Sequence, residues 1–110
     1  MEFMTTRIIR DVQSKPGVPY NPYHSELLER PCIILDAEVG HCAWLAVETE
    51  RDPGVLHRFR TSPVISVEVE ADDAMRIETK NTVYTIDISP DDRRSVCLAR
   101  FTLDDYKIPV

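Results

Sequence analysis

Residues 64–88 read VISVEVEADDAMRIETKNTVYTIDI, and the pairing within this stretch decides the fold. A two-residue loop at Lys80 and Asn81 sets Thr79 opposite Thr82, Ile77 opposite Tyr84 and Met75 opposite Ile86. Glu78 then meets Val83 and Arg76 meets Thr85 on the other side. A slip of one residue would set apolar against polar along the whole ladder, so the register is well specified. Asn81 tolerates the positive φ that a type I′ turn requires, so such a turn is expected. A three-residue loop of Ala71, Asp72 and Asp73 sets Val69 opposite Met75, Val67 opposite Ile77 and Glu68 opposite Arg76. Ile65, Val67, Val69, Met75, Ile77, Tyr84, Ile86 and Ile88 thereby form one apolar face. Glu68, Glu70, Arg76, Glu78, Lys80, Thr85 and Asp87 form the other. Such alternation marks an antiparallel sheet with one wet side.

The same stretch carries the net charge. From Glu68 to Asp92 there are eight acids and two bases, a net of −6, which equals the net charge of all 110 residues. Arg76 opposite Glu68 should neutralise part of this field. The strongest potential is therefore expected at the turns, around Asp72 and Asp73 and around Asp91 and Asp92.

Other segments extend the β pattern outward. Thr6–Val12 reads as a first strand. Residues 13–31 hold four prolines and read as a long ordered loop. Within it Ser25 is expected to cap a helical turn over Glu26–Arg30, stopped by Pro31. Cys32–Ala37 and His41–Thr49 form a hairpin around Val39 and Gly40, with Ile34 opposite Leu45, Leu35 opposite Trp44 and Cys32 opposite Val47. Its two faces are both apolar, so it should be covered on both sides. A turn at RDPG (51–54) leads to a strand over Val55–Arg60, which Ser62 and Pro63 should break. A last strand is expected over Ser95–Thr102, with a helical turn compatible with 102–106. Short strands spaced about ten residues apart imply an all-β class: a small antiparallel barrel or two-sheet sandwich of seven or eight strands, with one proline-rich loop and little helix.

At 110 residues the chain is read as one domain over residues 4–110, with Met1, Glu2 and Phe3 as a vector-derived remnant. No apolar run approaches the ~20 residues that span a bilayer, and the first residues lack a signal-peptide core. A cytoplasmic location is the expectation. Acidity, with a pI near 5.0, argues against nucleic-acid and anionic-membrane binding, which rest on Lys and Arg.

Motifs that carry chemistry are sparse. Cys32, Cys42 and Cys97 form no CxxC pair and read as small buried hydrophobes. His41 beside Cys42 would diverge across a strand, so a zinc site is not expected. No G-x-S-x-G elbow supports a nucleophile. Asp72–Asp73, Asp91–Asp92 and Asp104–Asp105 sit at turns, where aspartates bond their own backbone. Tyr20 and Tyr23 lie in a loop stiffened by proline, and stiff aromatics suit an interface.

No cofactor and no metal is expected. The reading is a non-enzymatic protein-binding module, such as an acidic inhibitor occupying a basic site on a nuclease or nucleic-acid-binding partner. Its contact residues are expected to be Glu68, Glu70, Asp72, Asp73, Asp91, Asp92, Tyr20 and Tyr23. A small-ligand-binding barrel with a pocket near Trp44, Phe59 and Tyr84 is the alternative. A small hydrolase using an acid pair and a histidine is the less favoured one. Apolar residues on both faces of several strands are compatible with a homodimer.

Overall fold

A computed structural model of the chain describes residues 7–19, 21–70 and 73–87, and the backbone of 102–104. The elements are β1 (Arg7–Ser14), α1 (His24–Leu27), β2 (Pro31–Asp36), β3 (Cys42–Glu48), β4 (Val55–Val69), β5 (Ala74–Thr79), β6 (Thr82–Asp87) and β7 (Thr102–Asp104). Strands β1 to β6 pair antiparallel in chain order, and β6 returns to β1, closing a six-stranded barrel. Of the two expected architectures, the barrel is the one formed. β7 lies parallel to the start of β4, with Val55 opposite Thr102 and His57 opposite Asp104. The helical turn expected at 102–106 is therefore strand over 102–104. The strand expected over Ser95–Thr102 otherwise lies outside the described residues.

The meander has the register that alternation dictates. Met75 pairs with Ile86, Arg76 with Thr85, Ile77 with Tyr84 and Glu78 with Val83. Val67 pairs with Ile77, Glu68 with Arg76 and Val69 with Met75. Glu70 N donates to Ala74 O at 2.7 Å, closing the three-residue loop. Asp73, its last member, sits at φ 59°, as three-residue hairpins require of that position.

The turn at Lys80 and Asn81 is not type I′, because neither residue has positive φ. Its backbone is held by neighbouring strands instead. Lys80 N donates to Pro63 O at 2.9 Å, and Lys15 N donates to Asn81 O at 2.9 Å. Asn81 N donates to Ser62 Oγ at 3.0 Å.

Two β-bulges displace residues from their expected faces. One falls between Ile34 and Asp36, so Asp36 rather than Leu35 pairs with Trp44 and Leu35 is exposed. The other falls between Val64 and Ser66, which turns Val64 into the core and Ile65 out. Ile65 therefore does not belong to the apolar face expected of it. A bulge adds one residue and inverts the alternation beyond it.

Pro63 does not break the chain. It sits within β4, opposite Cys42, where the strand leaves β3 and takes up β5. A missing N–H is tolerated at such an irregular corner.

The core fills the barrel with Ile9, Leu27, Leu45, Val47, Phe59, Ile77, Tyr84 and Ile86, among others. Ile33, Ala46 and Leu56 form a second buried cluster. Ala46 alternates with the core residues Leu45 and Val47 along β3, so the β2–β3 hairpin is covered on both faces away from its turn, as expected, whereas toward the turn Leu35 and Asp36 are exposed and Trp44 is half-buried. The helical turn begins at His24, two residues before the expected start. Asn21 Oδ1 accepts from Tyr23 N at 3.0 Å, while Ser25 Oγ donates to Pro22 O. Asn21 rather than Ser25 thus orders the entry. Leu27 drops into the core, and Glu29 at φ 60° reverses the chain into β2.

Candidate functional site

The acids of the meander divide into two groups. Glu78, on the outer face of β5, contacts Lys15 Nζ at 2.6 Å and Arg76 Nη1 at 3.2 Å. Its carboxyl titrates below the usual glutamate range, first because Lys15 hydrogen-bonds its ionised form. Asp87 is paired with Arg10 and its carbonyl accepts from Arg7. Glu68, Glu70 and Asp73 are exposed and have no ion pair among the described residues. Arg76 stands opposite Glu68 in the ladder, yet its guanidinium pairs with Glu78. Arg76 thus neutralises an acid of the sheet, but Glu78 rather than Glu68, and Glu68 is left without an ion pair among the described residues. Asp72, Asp91, Asp92 and Tyr20 lie outside the described residues.

The local fold explains why the β4–β5 tip protrudes. β3 accompanies β4 only as far as Cys42 opposite Pro63. The β2–β3 turn then bonds Val64 on both sides: Gly40 N donates to Val64 O at 2.9 Å and Val64 N donates to His41 O at 2.8 Å. Beyond this point β4 keeps β5 on one edge and, among the described residues, nothing on the other. Residues 67–70 are all exposed, Val69 at 73% and Val67 at 37%. These valines stand opposite Met75 and Ile77 on the core-facing side, but they overshoot the core. Sequence alternation alone places them in the interior; only the length of β3 relative to β4 shows that they are not.

Tyr23 is exposed but remote from the tip. His24 beside it contacts Ser14, with Nδ1 and Ser14 Oγ 3.3 Å apart, and Ser14 pairs with Thr82. The tip adjoins Ala74, which pairs with Asp87 at the other end of β6. Five residues of strand separate the two, about 17 Å at ~3.4 Å per residue. The structure does not bring Tyr23 together with Glu68, Glu70 and Asp73.

Two other features bear on the remaining readings. A groove of about 600 Å³ runs between α1 and the segment after β3, lined in part by Glu26, Arg30, Thr49 and Arg51. Both of its arginines are engaged: Arg51 contacts Glu26 at 3.5 Å, and Arg30 contacts the buried Glu48 beside the groove at 3.0 Å. It is not where a barrel pocket was expected. Phe59 and Tyr84 are fully buried in the core, and Trp44 alternates with the core residues Ala43 and Leu45, on the other face of β3.

Sequence reasoning also missed a histidine–carboxylate contact, His57 Nε2 to Asp52 Oδ2 at 2.9 Å. Their spacing across the RDPG turn was the available signal. His57 is 7% exposed, so the pair secures the turn, where Val55 N also donates to Asp52 O.

Cys32 is buried and Cys42 half-buried; both are free thiols. Burial pushes the Cys32 thiol up to about 12. Cys97 lies outside the described residues. Among the described residues no cluster of three His, Cys, Asp or Glu is placed to hold a metal ion, and no helix is long and apolar enough to cross a membrane.

Comparison with known proteins finds no family model, no curated protein and no solved structure that matches the chain.

Proposed function

We propose that this chain is a non-enzymatic protein-binding module that presents its acidic β4–β5 tip to a basic site on another protein. A nuclease or other nucleic-acid-binding protein is the class of partner whose basic cleft such a tip would block. The supporting observation is the division among the acids. Glu78 and Asp87 are held by Lys15, Arg76 and Arg10, whereas Glu68, Glu70 and Asp73 are exposed and have no basic partner among the described residues. Unpaired charge at a protruding tip costs little in water and is attractive to an approaching cation, chiefly by raising the association rate. We assign the activity to the cytoplasm, where the free thiols Cys32 and Cys42 are chemically at home.

The test is affinity capture from the native host with the wild type and a triple variant, Glu68→Lys, Glu70→Lys and Asp73→Lys. Basic proteins should be retained by the wild type at low salt and lost with the variant. Retention of the same proteins by both would sink the reading. Screening should weaken the capture as the Debye length falls from ~10 Å at about 0.1 M salt to ~3 Å at about 1 M.

A further inference from the structure

We infer that the edge of β4 beyond Val64 accepts an added strand from the partner, and that this strand alternates apolar residues with lysine or arginine. The inference rests on the acidic contact proposed above and supplies its mode.

The backbone sets the direction of bonding. Glu70 N donates to Ala74 O, so Glu70 bonds toward β5. In an antiparallel ladder the bonded and non-bonded pairs alternate. Glu68 therefore also bonds toward β5, and Val67 and Val69 turn their N–H and C=O toward the open edge. The bulge after Val64 produces this phase: Val64 bonds to the β2–β3 turn, and past the bulge the even-numbered residues face β5. A strand laid along Val67 and Val69 would find donors and acceptors in ladder spacing, as in strand-addition complexes generally.

The side chains specify what that strand must carry. On one face Val67 and Val69, continuous with Ile77 and Met75, offer apolar contact to alternate residues of the guest. On the other face Glu68 and Glu70 stand exposed and unpaired among the described residues. Guest residues on that side lie next to two carboxylates, and opposite charge across a ladder is favourable.

A second copy of this chain fits less well. Pairing two β4 edges antiparallel brings Glu68 and Glu70 of both copies onto one short ribbon, where like charges repel. An edge running only from Ile65 to Glu70 also falls well short of the roughly 1,200–2,000 Å² that a stable interface buries. A single basic strand needs no such area to bind transiently.

The probe is a capped hexapeptide alternating valine and lysine, with valine–glutamate and serine–lysine hexapeptides as controls. Hydrogen exchange is followed on the wild-type protein, so the result does not depend on any variant folding. The valine–lysine peptide should slow exchange of the Val67 and Val69 amides by about tenfold, the mark of a new backbone bond. Neither control should do so. Val69→Pro removes the outward N–H and no bond to β5, which an edge strand tolerates; it should weaken peptide binding about fivefold, the worth of roughly one hydrogen bond.

If Glu68→Lys abolishes binding while Val67 and Val69 gain no protection, strand addition is wrong and the acidic contact survives. If the valine–glutamate peptide protects the edge equally, the basic-partner requirement is wrong. Concentration-dependent protection without peptide, accompanied by a dimer in sedimentation, would overturn the inference in favour of self-pairing.

Discussion

At the scale of single residues, the environments of Glu78 and of the cysteines make separate predictions. Glu78 is ionised more readily in the fold than in the unfolded chain, chiefly through the Lys15 hydrogen bond. A lowered folded value means that its stabilisation is fully present above the ordinary value of 4.5 and fades as pH falls through the lowered one. Both partners are about a quarter exposed, with side-chain exposures of 25% and 26%, so solvent screening keeps the effect small. Glu78→Gln should therefore lower the thermal midpoint slightly near neutrality, with wild type and variant converging as pH falls below 4.5. The cysteines differ by burial. At pH 8, Cys32, whose thiol is pushed up to about 12 by burial, should be inert to a thiol reagent in the folded protein. Cys42, half-buried, should react first. Labelling followed by peptide mapping distinguishes them, and equal labelling of both would contradict the burial of Cys32.

At the scale of elements, the corner of β4 is tied to the β5–β6 turn by a compact hydroxyl network. Thr79 Oγ1 donates to Thr82 O at 2.9 Å and accepts from Thr82 N at 3.0 Å. Ser62 Oγ donates to Thr79 Oγ1 at 2.8 Å and itself accepts from Asn81 N. Thr79→Val keeps the shape but leaves the buried Thr82 backbone groups without that partner. It should cost about 1–3 kcal/mol, read from chemical denaturation. Ser62→Ala, at a less buried position, should cost less.

This corner also marks the limit of what the sequence discloses. Adjacent hairpins were legible because a period of two and a short loop leave few alternatives, hence the correct pairing of Ile77 with Tyr84 and of Ile34 with Leu45. The bulges at Leu35 and Ile65 and the passage of β4 through Pro63 were not. The bulges fall within chain-adjacent strand pairs, where strict alternation does not disclose the place of an extra residue, and the passage through Pro63 depends on where β3 ends and β5 begins alongside β4. The candidate site divides in the same way. The acids are obvious in the sequence. Which of them are neutralised depends on Arg10 and Lys15, which reach them only because β1 lies beside β6.

At the scale of the whole molecule, closure rests on the seam between β1 and β6, where Ile9 meets Ile86 and Val12 meets Tyr84. Every other step around the ring joins strands that are neighbours in sequence. Ile9→Ala, at a fully buried position, should cost about 2–5 kcal/mol. If the seam forms after the hairpins, that loss appears mainly as faster unfolding, with refolding little slowed. Stopped-flow chevrons separate the two arms, and an equal loss in the folding arm would place the seam in the transition state. The order of synthesis adds a consequence. β1 leaves the ribosome before every strand it will pair with, and its β6 partner is made last of the six barrel strands. Until β6 emerges, β1 has only its short pairing with β2 at Arg7 and Ile8, and Ile9 and Val12 lack the β6 partners they meet in the barrel. Moving β1 by circular permutation to follow β6 would turn this long-range closure into a local hairpin and should speed refolding.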